Sequence, residues 1–173
     1  TAATASCSIC MKRRSRKWMG GVVNISDLLR LGYIDLNLAA ADKEAAVKVV
    51  AHMGKDHPDI EDFPSFCRSV YEREAAGSTS IGHGIAIPHA RTDCVKHMVL
   101  IVARSQAGIV FDDKDLEPVH FIFLVGTPKH MVTDYLRIVG GIARCMKDDD
   151  FRQMLLDAAT PEQFIQCFKG KEC

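Results

Sequence analysis

The residues best suited to chemistry lie in one segment, GSTSIGHGIAIPHAR, which runs from Gly77 to Arg91. Its three glycines permit tight backbone turns and leave amide N–H groups free to face an anion. Pro88 fixes its own φ and favours extended backbone in the residue before it, so we expect His89 at a stiff strand end. A neutral imidazole there is a competent nucleophile toward phosphorus. Its second nitrogen must then be held as a donor by a carbonyl or a side chain, because the tautomer decides which nitrogen attacks.

The same residue types also have simpler interpretations. A histidine considered in isolation is more often structural than nucleophilic. His83, His89 and Cys94 could be metal ligands, but their spacings of six and five residues fit no common metal site. Cys7 and Cys10 form a Cys-x-x-Cys pair without the second pair of a zinc finger. We therefore expect neither a metal nor another cofactor.

Amphipathic helices and buried strands must position this segment. Apolar residues at helical spacing predict a helix capped by Asp42, one that opens at Pro64, and others at 132–146, 151–158 and 161–168. Near-continuous apolar runs predict strands buried on both faces at 98–103 and 119–125, with shorter strands at 85–87 and 108–111. Interleaved helices and buried strands predict a layered α/β domain.

Length and composition are those of one globular domain. The chain has 173 residues, of which 47% are hydrophobic and 25% charged. No apolar run approaches the ~20 residues of a membrane span, and no signal-peptide pattern is visible. Cysteine occurs seven times, an odd number that predicts a reducing compartment, and we expect a cytoplasmic protein.

Charge is unevenly distributed along the chain. The first twenty residues hold five basic side chains and no acidic one, which leaves 17 basic against 22 acidic residues in the rest. We expect residues 1–21 to form a basic, disordered tail and residues 22–173 to form the folded domain. The acidic balance of that domain argues against nucleic acid as its partner.

The Gly77–Arg91 segment, preceded by YEREA at 71–75, resembles the signature of the type-2 enzyme IIA domain of the bacterial phosphoenolpyruvate-dependent phosphotransferase system, in its fructose, mannitol and nitrogen-related branch. The similarity continues through VFDDKDLEPVHFIFLVGTP at 110–128 and GIARCMKDD at 141–149. It covers roughly residues 22–168. The resemblance implies a mixed β-sheet flanked by helices.

The resemblance also implies roles for individual residues. His89 would accept a phosphoryl group on Nε2 from the phosphohistidine of a small HPr-like carrier. Arg73 matches the arginine that compensates the charge of the phosphohistidine, a task that needs alignment and positive charge more than a metal. Ser78, Thr79 and His83 are expected to line the same pocket.

The chain departs from the family pattern at the start of the predicted helix 132–146. Family members commonly carry a second active-site histidine there, and alignment on the GGIAR sequence places Tyr135 at its position. His130 lies five residues earlier and is not the positional equivalent. Either the Tyr135 hydroxyl serves in place of that histidine or the function is missing. Ser80, where the family usually has glycine, is a second departure.

Two functions follow from the resemblance. As a regulatory protein, the chain would use the phosphorylation state of His89 to select its partners, such as transporters or sensor kinases. As a transport component, it would pass the phosphoryl group to an enzyme IIB that drives sugar uptake. A domain without a fused IIB or membrane segment favours the regulatory function.

Overall fold

The computed structural model of the chain describes residues 23–115 and 117–171. The predicted tail, residues 1–21, lies outside the described residues, and the division into tail and domain stays a prediction. In the part of the chain that is described, no helix is both long and apolar enough to cross a lipid bilayer.

The described residues form helices interleaved with strands. The helices are α1 (Ile25–Leu28), α2 (Lys43–His52), α3 (Phe63–Ala75), α4 (Val132–Cys145), α5 (Asp149–Asp157) and α6 (Pro161–Lys169), with a 3₁₀ turn at Leu31–Tyr33. The strands are β1 (Ile34–Asp35), β2 (Ser80–Gly82), β3 (Ile85–Ala86), β4 (His89–Arg91), β5 (Val99–Ile109) and β6 (Val119–Thr127).

These strands build one mixed sheet in the order β1-β5-β6-β3-β2. The two long strands β5 and β6 are antiparallel, whereas β3 and β4 both run parallel to β6. Strands β3 and β4 pair with successive parts of β6, and Ile87 and Pro88 separate the two short strands. The mixed sheet flanked by helices agrees with the expected fold.

Both faces of the sheet are buried, as the apolar runs predict. Alternate residues of each strand point to opposite faces. Leu100 and Phe123 pack in a core with α1, α4, α5 and α6. Ile101 and Leu124 pack in a second core with α2 and α3. The sheet therefore separates two helical layers, and α3 and α4 lie on opposite sides of it.

The predicted helices are present with shifted ends, and their caps have clear physical causes. Asp42 accepts a hydrogen bond from the backbone N–H of Ala45 and begins α2. Helix α3 begins one residue before Pro64, because the Asp62 side chain caps it. Thr160 caps α6, with Pro161 in its first turn as the sequence predicts.

The prediction of a separate short strand at 108–111 is wrong. Strand β5 continues from Val99 through the polar Arg104 to Ile109, and its pairing with β6 shifts register between those last two residues. Gly108 adopts a φ of 77°, which lets the strand bulge without ending. The polar residues interrupt the apolar pattern of the sequence, but they occupy the interior of one strand.

The contacts of Arg104 explain how a charged side chain is accommodated in the interior of β5. It is only 4% exposed, and its guanidinium donates to the carbonyl oxygen of Leu36 at 3.1 Å. It also donates to three carbonyls at the end of α5, namely Leu155, Leu156 and Ala158, at 2.7–2.9 Å. The positive charge thus satisfies orphan carbonyls at the C-terminus of a helix and fixes α5 to the sheet.

We expect Arg104→Met to lower the free energy of unfolding by ~3 kcal/mol, because it preserves length but leaves buried carbonyls without donors. Gln106→Met is the matched control: it lies on the same strand, is exposed, and donates to Leu156 at 3.0 Å. Its expected loss is below ~1 kcal/mol. Urea denaturation followed by circular dichroism measures both, and equal losses would contradict this role for Arg104.

Candidate active site

His89 is held by hydrogen bonds at both of its ring nitrogens. It begins β4, where it pairs in register with Val125 of β6, and the backbone N–H of Val125 donates to the Pro88 carbonyl at 2.9 Å. The Nδ1 atom lies 3.0 Å from the carbonyl oxygen of Ile87. Because a carbonyl can only accept, Nδ1 carries the proton. Nε2 therefore keeps its lone pair, as nucleophilic attack requires.

Arg73 faces that lone pair. It lies in the last turn of α3, and its Nε donates to His89 Nε2 at 3.0 Å. Its Nη1 donates to the carbonyl of Gly77, which follows the helix, at 3.0 Å. Two hydrogen bonds therefore hold the guanidinium in one orientation.

A glycine in β6 allows α3 to approach the sheet this closely. A Cβ atom built on Gly126 would lie 2.7 Å from the Phe66 ring of α3 and 2.7 Å from Val99 of β5. Gly126 pairs with Ala90, the residue that follows His89. A larger residue here would push α3, and with it Arg73, away from the imidazole.

The surroundings favour the neutral form of His89. Burial is the main cause that lowers its pKa below the usual 6.5, and the positive charges of Arg73 and Arg91 act in the same direction. The hydrogen bond to Ile87 and the charge of Glu74 oppose that shift. The net result is an imidazole that stays unprotonated, and so nucleophilic, at neutral pH.

Tyr135, and not His130, is the α4-side residue that reaches this site. The Tyr135 and His89 rings lie with centroids 5.4 Å apart at an angle of 48°, whereas His130 is exposed. Burial raises the pKa of Tyr135, with opposition from Arg73 and Arg91. Among the hydrogen bonds found in residues 23–115 and 117–171, none joins the Tyr135 hydroxyl to His89, so the contact between them is one of rings.

The structure places Ser78 and Thr79 in the connection from α3 to β2, with different surroundings. Ser78 is half-buried, and its hydroxyl accepts from the backbone N–H of Ser80 at 3.3 Å. Thr79 is buried, and its hydroxyl donates to Glu74 at 2.5 Å. The Thr79 side chain is thus engaged by a carboxylate instead of being open to a ligand.

His83 is not brought into the His89 pocket. It lies in the turn between β2 and β3 with a φ of 55°, and it lines a separate cavity of about 290 Å³ with His120 and Arg152. That cavity lies near the start of β6, whereas His89 pairs near its end. The four residue-to-residue steps from Ile85 to His89 alone span ~13 Å of extended chain. His83 was expected in the same pocket because it is close to His89 in sequence, but the extended chain between the two histidines separates them.

Two residues near His89 were missed by the sequence analysis. Arg91 lies two residues beyond His89, a spacing that places both side chains on the same face of a strand. Glu74 occupies an apolar position of α3, on the stripe of Phe66 and Val70, and is 6% exposed. A charged residue at an apolar position of a helix is the sequence signal that indicates Glu74.

This arrangement can accept an electrophilic phosphorus centre. It supplies a lone pair of fixed direction, an adjacent guanidinium that can turn to phosphoryl oxygens, and the further positive charge of Arg91. Stabilisation of a loose phosphoryl transition state depends mainly on such alignment and charge.

Comparison with known proteins finds relatives of both a sugar-specific and a nitrogen regulatory kind. The chain is 33% identical over 141 residues to the fructose-specific EIIA component of the phosphotransferase system from Haloferax volcanii, covering 82% of this chain and 92% of that protein. It is 27% identical to a nitrogen regulatory protein of Pseudomonas aeruginosa, over 84% of this chain and 94% of that protein.

Solved structures show the same fold. The crystal structure of the nitrogen regulatory protein IIA-Ntr from Neisseria meningitidis superposes with a TM-score of 0.76 at 24% identity, covering 83% of this chain and 98% of that one. The family model of the phosphoenolpyruvate-dependent sugar phosphotransferase system, EIIA 2, matches residues 27–171. The chain therefore belongs to the type-2 EIIA family of the phosphotransferase system.

Proposed function

We propose that the chain is a phosphohistidine carrier in which His89 accepts a phosphoryl group on Nε2 from the phosphohistidine of an HPr-like protein. The observation that carries the proposal is the pair of hydrogen bonds that fix Nδ1 as a donor and leave the Nε2 lone pair facing Arg73. Membership of the family supports it, since the family's components belong to a phosphotransferase system.

The transfer follows from these contacts. The bond between nitrogen and phosphorus in the donor breaks as the bond from His89 Nε2 to phosphorus forms, and the electron pair returns to the donor nitrogen. The proton on Nδ1 stays in place, bonded to the Ile87 carbonyl. Arg73 exchanges its bond to Nε2 for bonds to phosphoryl oxygens, which carry the transferred negative charge. Its anchor at Gly77 keeps it within reach.

The downstream role has two candidates. The fructose-specific relative favours a transport role, in which the chain would pass the phosphoryl group to an enzyme IIB. The nitrogen regulatory relative favours a regulatory role, in which the phosphorylation state of His89 would select the partners. The fructose-specific and the nitrogen regulatory relative are matched over 92% and 94% of their lengths, so the extent of the match favours neither role. Transfer of label from phosphorylated protein to a purified fructose-type enzyme IIB would support transport, whereas label retained on His89 would support regulation.

His89→Ala should abolish phosphorylation, because it removes the proposed nucleophile. Incubation with phosphoenolpyruvate, enzyme I and HPr should add one acid-labile phosphoryl group to the unaltered protein and none to the variant, as read by intact mass. His130→Ala, which removes an exposed histidine, is the control and should label normally. Label that persists on His89→Ala would overturn the proposal.

Arg73→Ala should slow phosphorylation ~10²-fold, because a positioned charge at such a site is worth a few kcal/mol in the transition state. Arg68→Ala removes an exposed arginine from the same helix and should leave the rate unchanged. Rapid-quench measurement of label transfer from phosphorylated HPr compares the two. Equal rates in both variants would rule out the assigned role of Arg73.

Tyr135→Ala should raise the pKa of His89 toward 6.5, because burial is the main cause of its lowered value and the Tyr135 ring covers the imidazole. Tyr135→Phe keeps the ring and should leave that pKa unchanged. Tyr135→His should add a second group that titrates near ~6.5. An NMR titration of the His89 ring protons measures all three. A shifted pKa in Tyr135→Phe would instead assign the effect to the hydroxyl.

A further inference from the structure

Glu74 is a buried carboxylate at an unfavourable position. It lies in the last turn of α3, where the helix dipole opposes a negative charge, and it is 6% exposed. Three donors compensate for its burial. They are the backbone N–H of Thr79 at 3.2 Å, the Thr79 hydroxyl at 2.5 Å and the Lys43 Nζ at 3.3 Å. A carboxylate so fully engaged fixes the chain that contacts it.

Thr79 connects Glu74 to the site. The Thr79 carbonyl accepts from the backbone N–H of Ile87 at 3.0 Å, and the carbonyl of Ile87 in turn holds His89 Nδ1. Arg73, the residue before Glu74, holds His89 Nε2. The contacts therefore form a closed network through Arg73, His89, Ile87, Thr79 and Glu74.

This closed network has a geometric consequence. The two partners of the imidazole come from different elements, since Arg73 belongs to α3 and Ile87 follows β3. Their separation must match the width of the ring for both nitrogens to be held. The contact between Glu74 and Thr79 joins α3 to the segment that ends in Ile87. In the network it is connected to His89 through Arg73 on one path and through Ile87 on the other.

We propose that Glu74 is a positioning residue that keeps Arg73 and the Ile87 carbonyl in register on the two nitrogens of His89. The proposal rests on the proposed function for its catalytic consequence, but its structural consequence can be measured in the unphosphorylated protein. Glu74 does not touch the phosphoryl group. It acts through Thr79 and through its neighbour on α3.

The test compares Glu74→Gln with Glu72→Gln, the same change at an exposed position of the same helix. Glu74→Gln removes the charge and places an amide donor among three donors. We expect kcat for phosphoryl transfer from phosphorylated HPr to fall about tenfold or more, with KM for HPr unchanged. Glu72→Gln should match the unaltered protein in both constants.

The second readout is the ¹⁵N spectrum of histidine-labelled protein without phosphate. The unaltered protein should show His89 as one tautomer, with the proton on Nδ1. In Glu74→Gln the Nδ1 and Nε2 signals should move toward each other, because the two partners no longer select one tautomer. A variant that lost structure for other reasons would instead show a lowered melting temperature and dispersed changes at other histidines.

Thr79→Val supplies an independent variant, since it removes the hydroxyl donor and preserves the buried volume. It should change kcat and the His89 signals in the same direction as Glu74→Gln, and the double variant should be no worse than the more severe single one. Fully additive losses, or a Glu74→Gln protein with the kcat and tautomer of Glu72→Gln, would overturn the proposal. Failure of the unaltered protein to accept phosphate would refute the proposed function and leave the tautomer comparison to decide the role of Glu74.

Discussion

The hydrogen bond from His89 Nδ1 to the Ile87 carbonyl is the constraint on which the rest of the site depends. An imidazole free to change tautomer presents its lone pair at either nitrogen, and a nucleophile needs that lone pair in one place. A backbone carbonyl two residues earlier enforces the choice without a titratable partner. This bond leaves the lone pair on Nε2, where it accepts the hydrogen bond from Arg73.

The fold supplies the rigidity that this bond requires. His89 begins a strand paired with β6, a strand buried on both faces between two helical layers. Helix α3 brings Arg73 from one layer and α4 brings Tyr135 from the other, so the imidazole lies between partners fixed to opposite faces of one sheet. Gly126 sets the distance of α3 from that sheet. The core packing thereby sets the position of the Arg73 charge relative to the imidazole.

The sequence predicted those features that depend on local pattern. Residue type and spacing predicted the strand end at Pro88 and the helix caps at Asp42 and Thr160. They also predicted that one ring nitrogen of His89 must be held as a hydrogen-bond donor. It failed where tertiary contacts decide. His83 is separated from His89 by the extended chain between them, and the interior polar residues of β5 are paired or bonded only in the folded sheet. The place of Glu74 on an apolar helical stripe marks it in the sequence, but only the folded chain shows that the Thr79 hydroxyl is its partner.

The most direct test of this account is which nitrogen of His89 carries phosphorus. Protein labelled with ¹⁵N-histidine and phosphorylated through HPr can be read by two-dimensional proton–nitrogen NMR, in which coupling to ³¹P marks the modified nitrogen. We predict phosphorus on Nε2 with the proton retained on Nδ1. Phosphorus on Nδ1 would mean that the bond to the Ile87 carbonyl does not select the nucleophile, and would contradict the central claim.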